Sequence, residues 1–117
     1  MHNLKELKIW HKAIELSTQV YRLTADFPKE EKYGLTSQIR RAAVSVPSNI
    51  AEGAGRNSDK EFIHFLGISN GSSYEQQTQL IISKNLSLIG NGVDLILDQI
   101  DQIQKMNYSL QAKLSKD

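Results

Sequence analysis

Two segments, one at each end of the chain, carry apolar residues at an alternating spacing of three and four positions. The first row is Ile9, Ala13, Leu16, Val20, Leu23 and Phe27, and the last is Val93, Ile96, Ile100, Ile103, Asn107, Leu110 and Leu114. This spacing is typical of one side of an α-helix that packs against a partner helix. A chain with such a row at both ends has to bury both helices against other helices.

A second row beside the first predicts a broad buried stripe on the N-terminal helix. Its members are Trp10, Ile14, Ser17, Tyr21 and Thr24. Such a width is typical of a bundle helix rather than of a two-stranded coil. Pro28 then ends the pattern, because proline lacks an N–H and disfavours helical geometry in the preceding residue.

The helical period returns between Leu35 and Ile50, in a segment rich in small residues. These are Ala42, Ala43, Ser45, Ser48, Ala51, Gly53 and Ala54, and they permit close approach of another backbone. Pro47 cannot donate an amide hydrogen bond to the carbonyl of Ala43, so we expect a kink or local break there. Gly53 and Gly55 are expected to end this helix by adopting positive φ.

The run Ser58-Asp59-Lys60-Glu61 resembles a capping box and predicts the start of a third helix. We expect that helix to end between Leu86 and Ile89. Its inward row is polar in the middle: Phe62, Phe65, Leu66, Ser69, Ser73, Gln76 and Leu80. Gly67 and Gly71 each cost about 1 kcal/mol relative to alanine in a helix, which indicates close packing or a site.

Four helical segments with short turns and without alternating βαβ signals predict an all-α protein. The architecture that buries all four stripes is an antiparallel, up-down-up-down four-helix bundle. At 117 residues the chain fits one domain, residues 1–117. Since only 39% of the residues are hydrophobic, we expect a lean core.

The chain contains no cysteine, which excludes disulfide scaffolds and thiolate metal sites. No stretch approaches the roughly 18 apolar residues needed to span a bilayer. We therefore expect a cytoplasmic protein that does not contact a membrane.

Catalytic machinery is not recognisable, and we predict neither enzymatic activity nor a cofactor. Glu61 and His64 have the i, i+3 spacing of di-iron bundle ligands, but such sites need a second Glu-x-x-His pair, and the chain has none. We therefore predict no metal site. The glycines between Glu52 and Arg56 follow a helix rather than a strand, which argues against a phosphate-binding loop.

The net charge of +1 conceals an asymmetry between the two halves of the chain. Residues 1–60 hold 10 basic and 7 acidic side chains, and residues 61–117 hold 4 basic and 6 acidic ones. The predicted nucleic-acid-binding surface consists of Arg40, Arg41, Arg56 and Lys60, which have few counter-charges near them in sequence. From these residues alone, a solvated face with an Arg56–Glu52 helical ion pair is the favoured interpretation.

The run from Gly34 to Gly53 resembles the signature of a known bacterial family. It contains Arg40-Arg41-Ala42-Ala43 and Pro47-Ser48-Asn49-Ile50-Ala51-Glu52-Gly53. Phe27-Pro28-Lys29-Glu30-Glu31 and Gly55-Arg56 support the match. The family comprises small four-helix bundles whose founding members are encoded by intervening sequences in 23S ribosomal RNA genes.

The resemblance implies a homo-oligomer, a ring-shaped pentamer, and a nucleic-acid or reverse-transcriptase partner like that of the related accessory proteins of diversity-generating retroelements. Arg40, Arg41 and Arg56 match the family's basic positions. Its helix-two motif is matched by Pro47, Asn49, Glu52 and Gly53. The chain departs from the pattern at Ser73 and Gln76, and in its acidic last helix, which holds Asp94, Asp98 and Asp101.

Two functional hypotheses follow. The first is a self-associating bundle that binds structured RNA or a ribonucleoprotein through basic side chains. The alternative is a structural or protein-docking module that uses a polar stripe on helix two, namely Ser45, Asn49, Glu52 and Arg56. In both, Asn49 and Glu52 are structural residues that satisfy backbone groups left unpaired by Pro47.

Overall fold

The computed structural model describes residues 1–116 and is built from four α-helices. These are α1 (Lys8–Thr24), α2 (Leu35–Ala54), α3 (Asp59–Asn85) and α4 (Val93–Leu114). Single 3₁₀ turns at Leu4–Glu6 and Lys29–Glu31 precede α1 and α2. No strand occurs within residues 1–116, and the prediction of an all-α fold is confirmed.

Cross-helix contacts show that neighbouring helices run antiparallel, because early positions of one helix meet late positions of the next. Between α2 and α3, Gln38 pairs with Gln79, and Ser45 with Ser72. Between α3 and α4, the Asn107 amide donates to the Leu66 carbonyl at 3.0 Å, and Lys84 pairs with Asp94. α1 packs against α2 and α4, which completes an elongated bundle of 48 × 23 × 20 Å.

The alternating rows of α1 and α4 form the core, as predicted. Leu23 and Leu110 are half-buried, and every other member of the two rows is buried. The largest apolar side chains with almost no exposed surface come from all four helices: Val20, Ile39, Ile50, Phe62, Leu66, Leu80 and Ile100. Each helix therefore contributes at least one fully buried apolar side chain to a single core.

The predicted second row of α1 is only partly buried. Thr24 is buried, whereas Ile14 and Tyr21 remain 40% and 43% exposed. Val44 of α2, 43% exposed, lines the same surface as buried Pro47. The second row lies along the outer edge of the α1–α2 contact, where no further helix within residues 1–116 covers it. We call Ile14, Tyr21, Val44 and Pro47 the apolar strip.

The middle of α3 buries polar side chains, as its sequence predicts. Ser69, Ser73 and Gln76 are buried, and Gln79 and Ser83 extend the set beyond the prediction, while Phe65 is only half-buried. Two further contacts bind this layer to the other helices. The Ser69 hydroxyl donates to the Val46 carbonyl at 2.9 Å, and the Gln104 amide reaches the Ser73 hydroxyl at 3.3 Å. Gln76 Nε2 and Gln79 Oε1 have no partner within residues 1–116, so this layer contributes less stability than an apolar one.

The start of α3 agrees with the predicted boundary, and its end lies one residue before the predicted range, with Leu86 as the C-cap. The Ser58 hydroxyl accepts a hydrogen bond from the Glu61 amide at 3.2 Å, and the helix ends at Asn85. The reciprocal bond expected from the Ser58 amide to the Glu61 carboxylate does not form in the described residues. The cap is therefore one-sided.

The glycines of α3 correct a second expectation. A Cβ built at Gly67 or Gly71 meets nothing within 4 Å. Close packing inside the protomer is therefore wrong as an explanation for them, because both lie on the exposed side of the helix.

Candidate nucleic-acid interface

Pro47 lies inside a continuous α2, so the expected local break is not present. The Ser17 hydroxyl of α1 lies 2.7 Å from the Ala43 carbonyl, to which Pro47 cannot donate, and 2.9 Å from the Ala13 carbonyl of its own helix. Ser17 thus replaces the backbone bond that proline removes. The helix continues because its neighbour supplies the missing donor.

Asn49 does not perform the role expected of it. Its amide donates to the Ser45 carbonyl and to the Ser45 hydroxyl, both at 2.9 Å. The Ser45 hydroxyl in turn lies 2.8 Å from that of Ser72 on α3. Asn49 therefore fixes Ser45 for a contact with α3, and the carbonyl that Pro47 leaves free is satisfied by Ser17.

Gly53 is a packing residue, and it does not end α2 through positive φ. It is buried inside the helix, and no glycine within residues 1–116 has positive φ. Gly55, the C-cap residue, has a φ of −84°. A Cβ at Gly53 would lie 2.8 Å from both Phe62 Cδ1 and Phe65 Cβ. The absence of a side chain is what lets α3 approach α2 here.

Arg40 is tied to α1. Its Nε donates to the Thr24 hydroxyl at 2.9 Å and its Nη2 donates to the Tyr21 carbonyl at 3.0 Å. The guanidinium carbon also lies 4.6 Å from the centre of the Tyr21 ring. With these partners Arg40 joins α2 to α1, so its side chain is less available to a phosphate than the sequence suggests.

Arg56 and Glu52 form the predicted i, i+4 pair, with Arg56 Nη2 2.8 Å from Glu52 Oε1. Because both side chains are about half exposed, this pair contributes little stability by itself. The Arg56 guanidinium also lies 4.7 Å from the centre of the Phe65 ring. Lys60 is exposed nearby and makes no ion pair within residues 1–116.

Arg41 is the predicted arginine that has no partner among the described residues. It is exposed on α2, and it forms no side-chain hydrogen bond or ion pair with any residue that the structure describes. At 1.5 Å of rise per residue, α2 separates Arg41 from Arg56 by roughly 20 Å. The four predicted basic residues therefore form two groups, Arg40 with Arg41 and Arg56 with Lys60.

The charge asymmetry of the sequence becomes a spatial one in the bundle. Helices α1 and α2, which contact each other, hold five basic and two acidic residues within their bounds. Helices α3 and α4, also in contact, hold four basic and six acidic residues within their bounds. One side of the molecule is therefore net basic, and the opposite side is net acidic.

Metal chemistry finds no support in side-chain positions. Among the described residues, no three His, Cys, Asp or Glu side chains cluster as metal ligands would. His64 packs edge-on against Phe65, with ring centres 5.5 Å apart.

No helix of the described part is long and apolar enough to cross a membrane.

Two residues of this region were not assigned a role from the sequence. In the sequence, Ser17 is only a polar member of an apolar row. Its position opposite Pro47 depends on the register of α1 against α2. Phe65 was assigned to the inward row of α3, but it is half-buried and contacts Arg56. The sequence does not distinguish Phe65 from the other members of that row, because its contact with Arg56 depends on how the chain folds back between α2 and α3.

Comparisons with known proteins agree with this architecture. A family model described as 23S rRNA-intervening sequence protein matches residues 5–109. A crystal structure of a protein of unknown function from the S23 ribosomal protein family of Bacteroides thetaiotaomicron superposes with a TM-score of 0.79. It is 20% identical, and the alignment covers 88% of this chain and 97% of that one. A comparison with curated proteins gives no significant match.

Proposed function

Because this chain belongs to the family of 23S rRNA-intervening sequence proteins, we propose that it is a non-enzymatic, self-associating bundle that binds structured RNA or a ribonucleoprotein. Basic side chains from several subunits contact the phosphate backbone in this proposal. The side chains concerned are those of Arg40, Arg41, Arg56 and Lys60, with Arg41 contributing most.

The observation that carries the proposal is the position of Arg41 on the basic side of a bipolar molecule. An exposed guanidinium without an internal partner can bind a phosphate without first breaking an ion pair. Arg40 stabilises the α1–α2 contact beside it. A single copy with a net charge of +1 attracts a polyanion only weakly, so one protomer alone would have a low affinity for RNA.

Self-association is the second element of the proposal, since it multiplies the number of basic side chains that can contact one RNA. The apolar strip leaves Ile14, Tyr21 and Val44 about two-fifths exposed, and covering them removes apolar surface from water. A net basic side and a net acidic side on one protomer favour head-to-tail contacts, which close into rings when the rotation permits. Five copies, the number implied by the family resemblance, would carry a net charge of about +5 and bind multivalently.

Replacing Arg41 by glutamine tests the proposal. Each subunit that contacts the RNA would lose one phosphate contact, so the slope of log K against log salt should decrease by about one for each such subunit. Fluorescence anisotropy of a labelled RNA hairpin, titrated between roughly 50 and 200 mM salt, measures this slope.

Lys105→Gln is the matched control, because it removes one exposed positive charge from the acidic helix α4. We expect it to leave the slope nearly unchanged. Equal slopes for the wild-type protein, Arg41→Gln and Lys105→Gln would contradict a role for Arg41 in phosphate binding.

The apolar strip also favours a second candidate function, a protein-docking module without nucleic-acid binding. The polar stripe first considered for docking has internal partners, namely the Ser45–Asn49 bond and the Glu52–Arg56 ion pair. Docking would instead use Ile14, Tyr21 and Val44. Under this alternative no hairpin binds at about 50 mM salt, where phosphate contacts are strongest, and Val44→Asp abolishes self-association.

A further inference from the structure

A surface cavity of about 410 Å³ lies where α2 turns into α3. It is lined by Arg56, Lys60, Glu61, His64 and Phe65. The fold creates it directly, because Gly53 brings α3 close to α2 and places Phe65 beside the last turn of α2. The cavity lies at the opposite end of α2 from Arg41.

The cavity presents flat groups held in fixed positions. The guanidinium carbon of Arg56 is 4.7 Å from the centre of the Phe65 ring, and Glu52 holds Arg56 Nη2 at 2.8 Å. The His64 ring packs edge-on against the Phe65 ring, with an angle of 76° between the two ring planes. A guanidinium held over an aromatic ring offers a planar cationic surface on which another flat group stacks.

The charge of this region disfavours a site built for phosphates alone. Glu52 neutralises Arg56, and Glu61 lines the same cavity as Lys60. Two positive charges are thus matched by two negative ones within a few residues. The chemistry suits a flat, largely uncharged aromatic group with one adjoining anion. Lys60 can contact that anion, because it makes no ion pair with Glu61 or any other residue within residues 1–116.

We infer that this cavity binds an unpaired nucleobase of RNA, which stacks on Arg56 and Phe65 while Lys60 contacts the neighbouring phosphate. The inference rests on the proposed RNA-binding function and specifies which part of the RNA the cavity recognises. Unpaired bases in loops expose their faces for stacking on aromatic rings and guanidinium planes, whereas duplex bases do not. An aromatic side chain of a protein partner is the competing occupant.

The test compares two RNA hairpins with the same stem and the same number of phosphates. One carries a natural loop, and the other carries a loop of abasic nucleotides. Base–aromatic stacking predicts that the wild-type protein binds the natural loop about 5- to 150-fold more tightly. Phe65→Leu and Arg56→Lys should abolish that preference, because the first removes the ring and the second keeps the charge but loses the plane.

Phe65→Tyr is the matched control and should keep the preference, since it retains an aromatic ring. Arg56→Lys changes an exposed side chain, so it tests stacking even if Phe65→Leu weakens the fold. Equal wild-type binding of the two hairpins would overturn the inference and leave the proposed function intact. Failure to bind either hairpin at about 50 mM salt would overturn both. Persistence of the preference in folded Arg56→Lys would also overturn the stacking role.

Discussion

Gly53→Ala is expected to destabilise the bundle by about 1–3 kcal/mol, although alanine is the better helix former. The added Cβ would lie 2.8 Å from Phe62 Cδ1 and from Phe65 Cβ, and 3.2 Å from the Phe62 carbonyl oxygen. A Cβ and a backbone carbonyl cannot move away as the end of a long side chain can, so α3 itself has to shift. Urea unfolding followed by circular dichroism measures the change.

Gly67→Ala and Gly71→Ala are matched controls in the same helical bundle. Both positions are helical and have open space around an added Cβ. Each alanine should therefore stabilise the protomer by about 1 kcal/mol through helix propensity. A stabilised Gly53→Ala variant would contradict close α2–α3 packing at this position. Gly53→Ala should also distort the cavity lined by Arg56, Lys60 and Phe65, because the shape of that cavity depends on the close approach of α3 to α2.

Ser17→Ala is expected to cost about 1–3 kcal/mol of stability, more than a typical surface substitution. It removes the hydroxyl that lies 2.7 Å from the Ala43 carbonyl and leaves that acceptor unpaired beside Pro47. The carbonyl belongs to Ala43, which is buried, so water is a poor substitute. Thermal and urea unfolding of the variant measure the loss.

A double-mutant cycle with Pro47→Ala isolates the mechanism. Alanine at position 47 restores an amide that can donate to Ala43, so Ser17→Ala should cost less in that background. We expect a coupling free energy of about 1–2 kcal/mol between the two positions. Additive effects would contradict the account of how Ser17 maintains α2 through the proline.

The regular rows of α1 and α4 were enough to predict the fold, because an alternating three-and-four spacing specifies a helix and the face it buries. The same pattern overestimated burial at Ile14 and Tyr21. Periodicity gives the side of a helix that is apolar, but the number of neighbours that cover it depends on tertiary arrangement. The edge of the α1–α2 contact therefore stays open in the protomer.

The errors on α2 share one physical cause, which is that sequence rules treat a helix in isolation. Pro47 predicts a break in an isolated helix, but Ser17 of α1 supplies the donor. Glycine near a helix end predicts positive φ, but Gly53 is there because α3 needs the space. The sequence predicts that Arg40 is a free cation, but its guanidinium donates hydrogen bonds to Thr24 and Tyr21. Each correction depends on a residue distant in sequence.

The charge pattern was the most informative part of the candidate site that could be predicted. The division at residue 60 falls in the first turn of α3, so most of the charge asymmetry along the sequence becomes a difference between the α1–α2 side and the α3–α4 side of the bundle. The grouping of Arg56 with Phe65 was not predictable, since it requires the α2–α3 turn to fold back on itself.

The central claim is that several copies of this bundle place their basic sides on one structured RNA. Light scattering of the protein alone and with an RNA hairpin, at about 50 and about 200 mM salt, tests it most directly. We predict a mass several times 13.2 kDa, one hairpin per oligomer, and an affinity that falls by about 1000-fold or more between the two salt concentrations. A 13.2 kDa particle that binds no hairpin at the lower salt concentration would contradict the account.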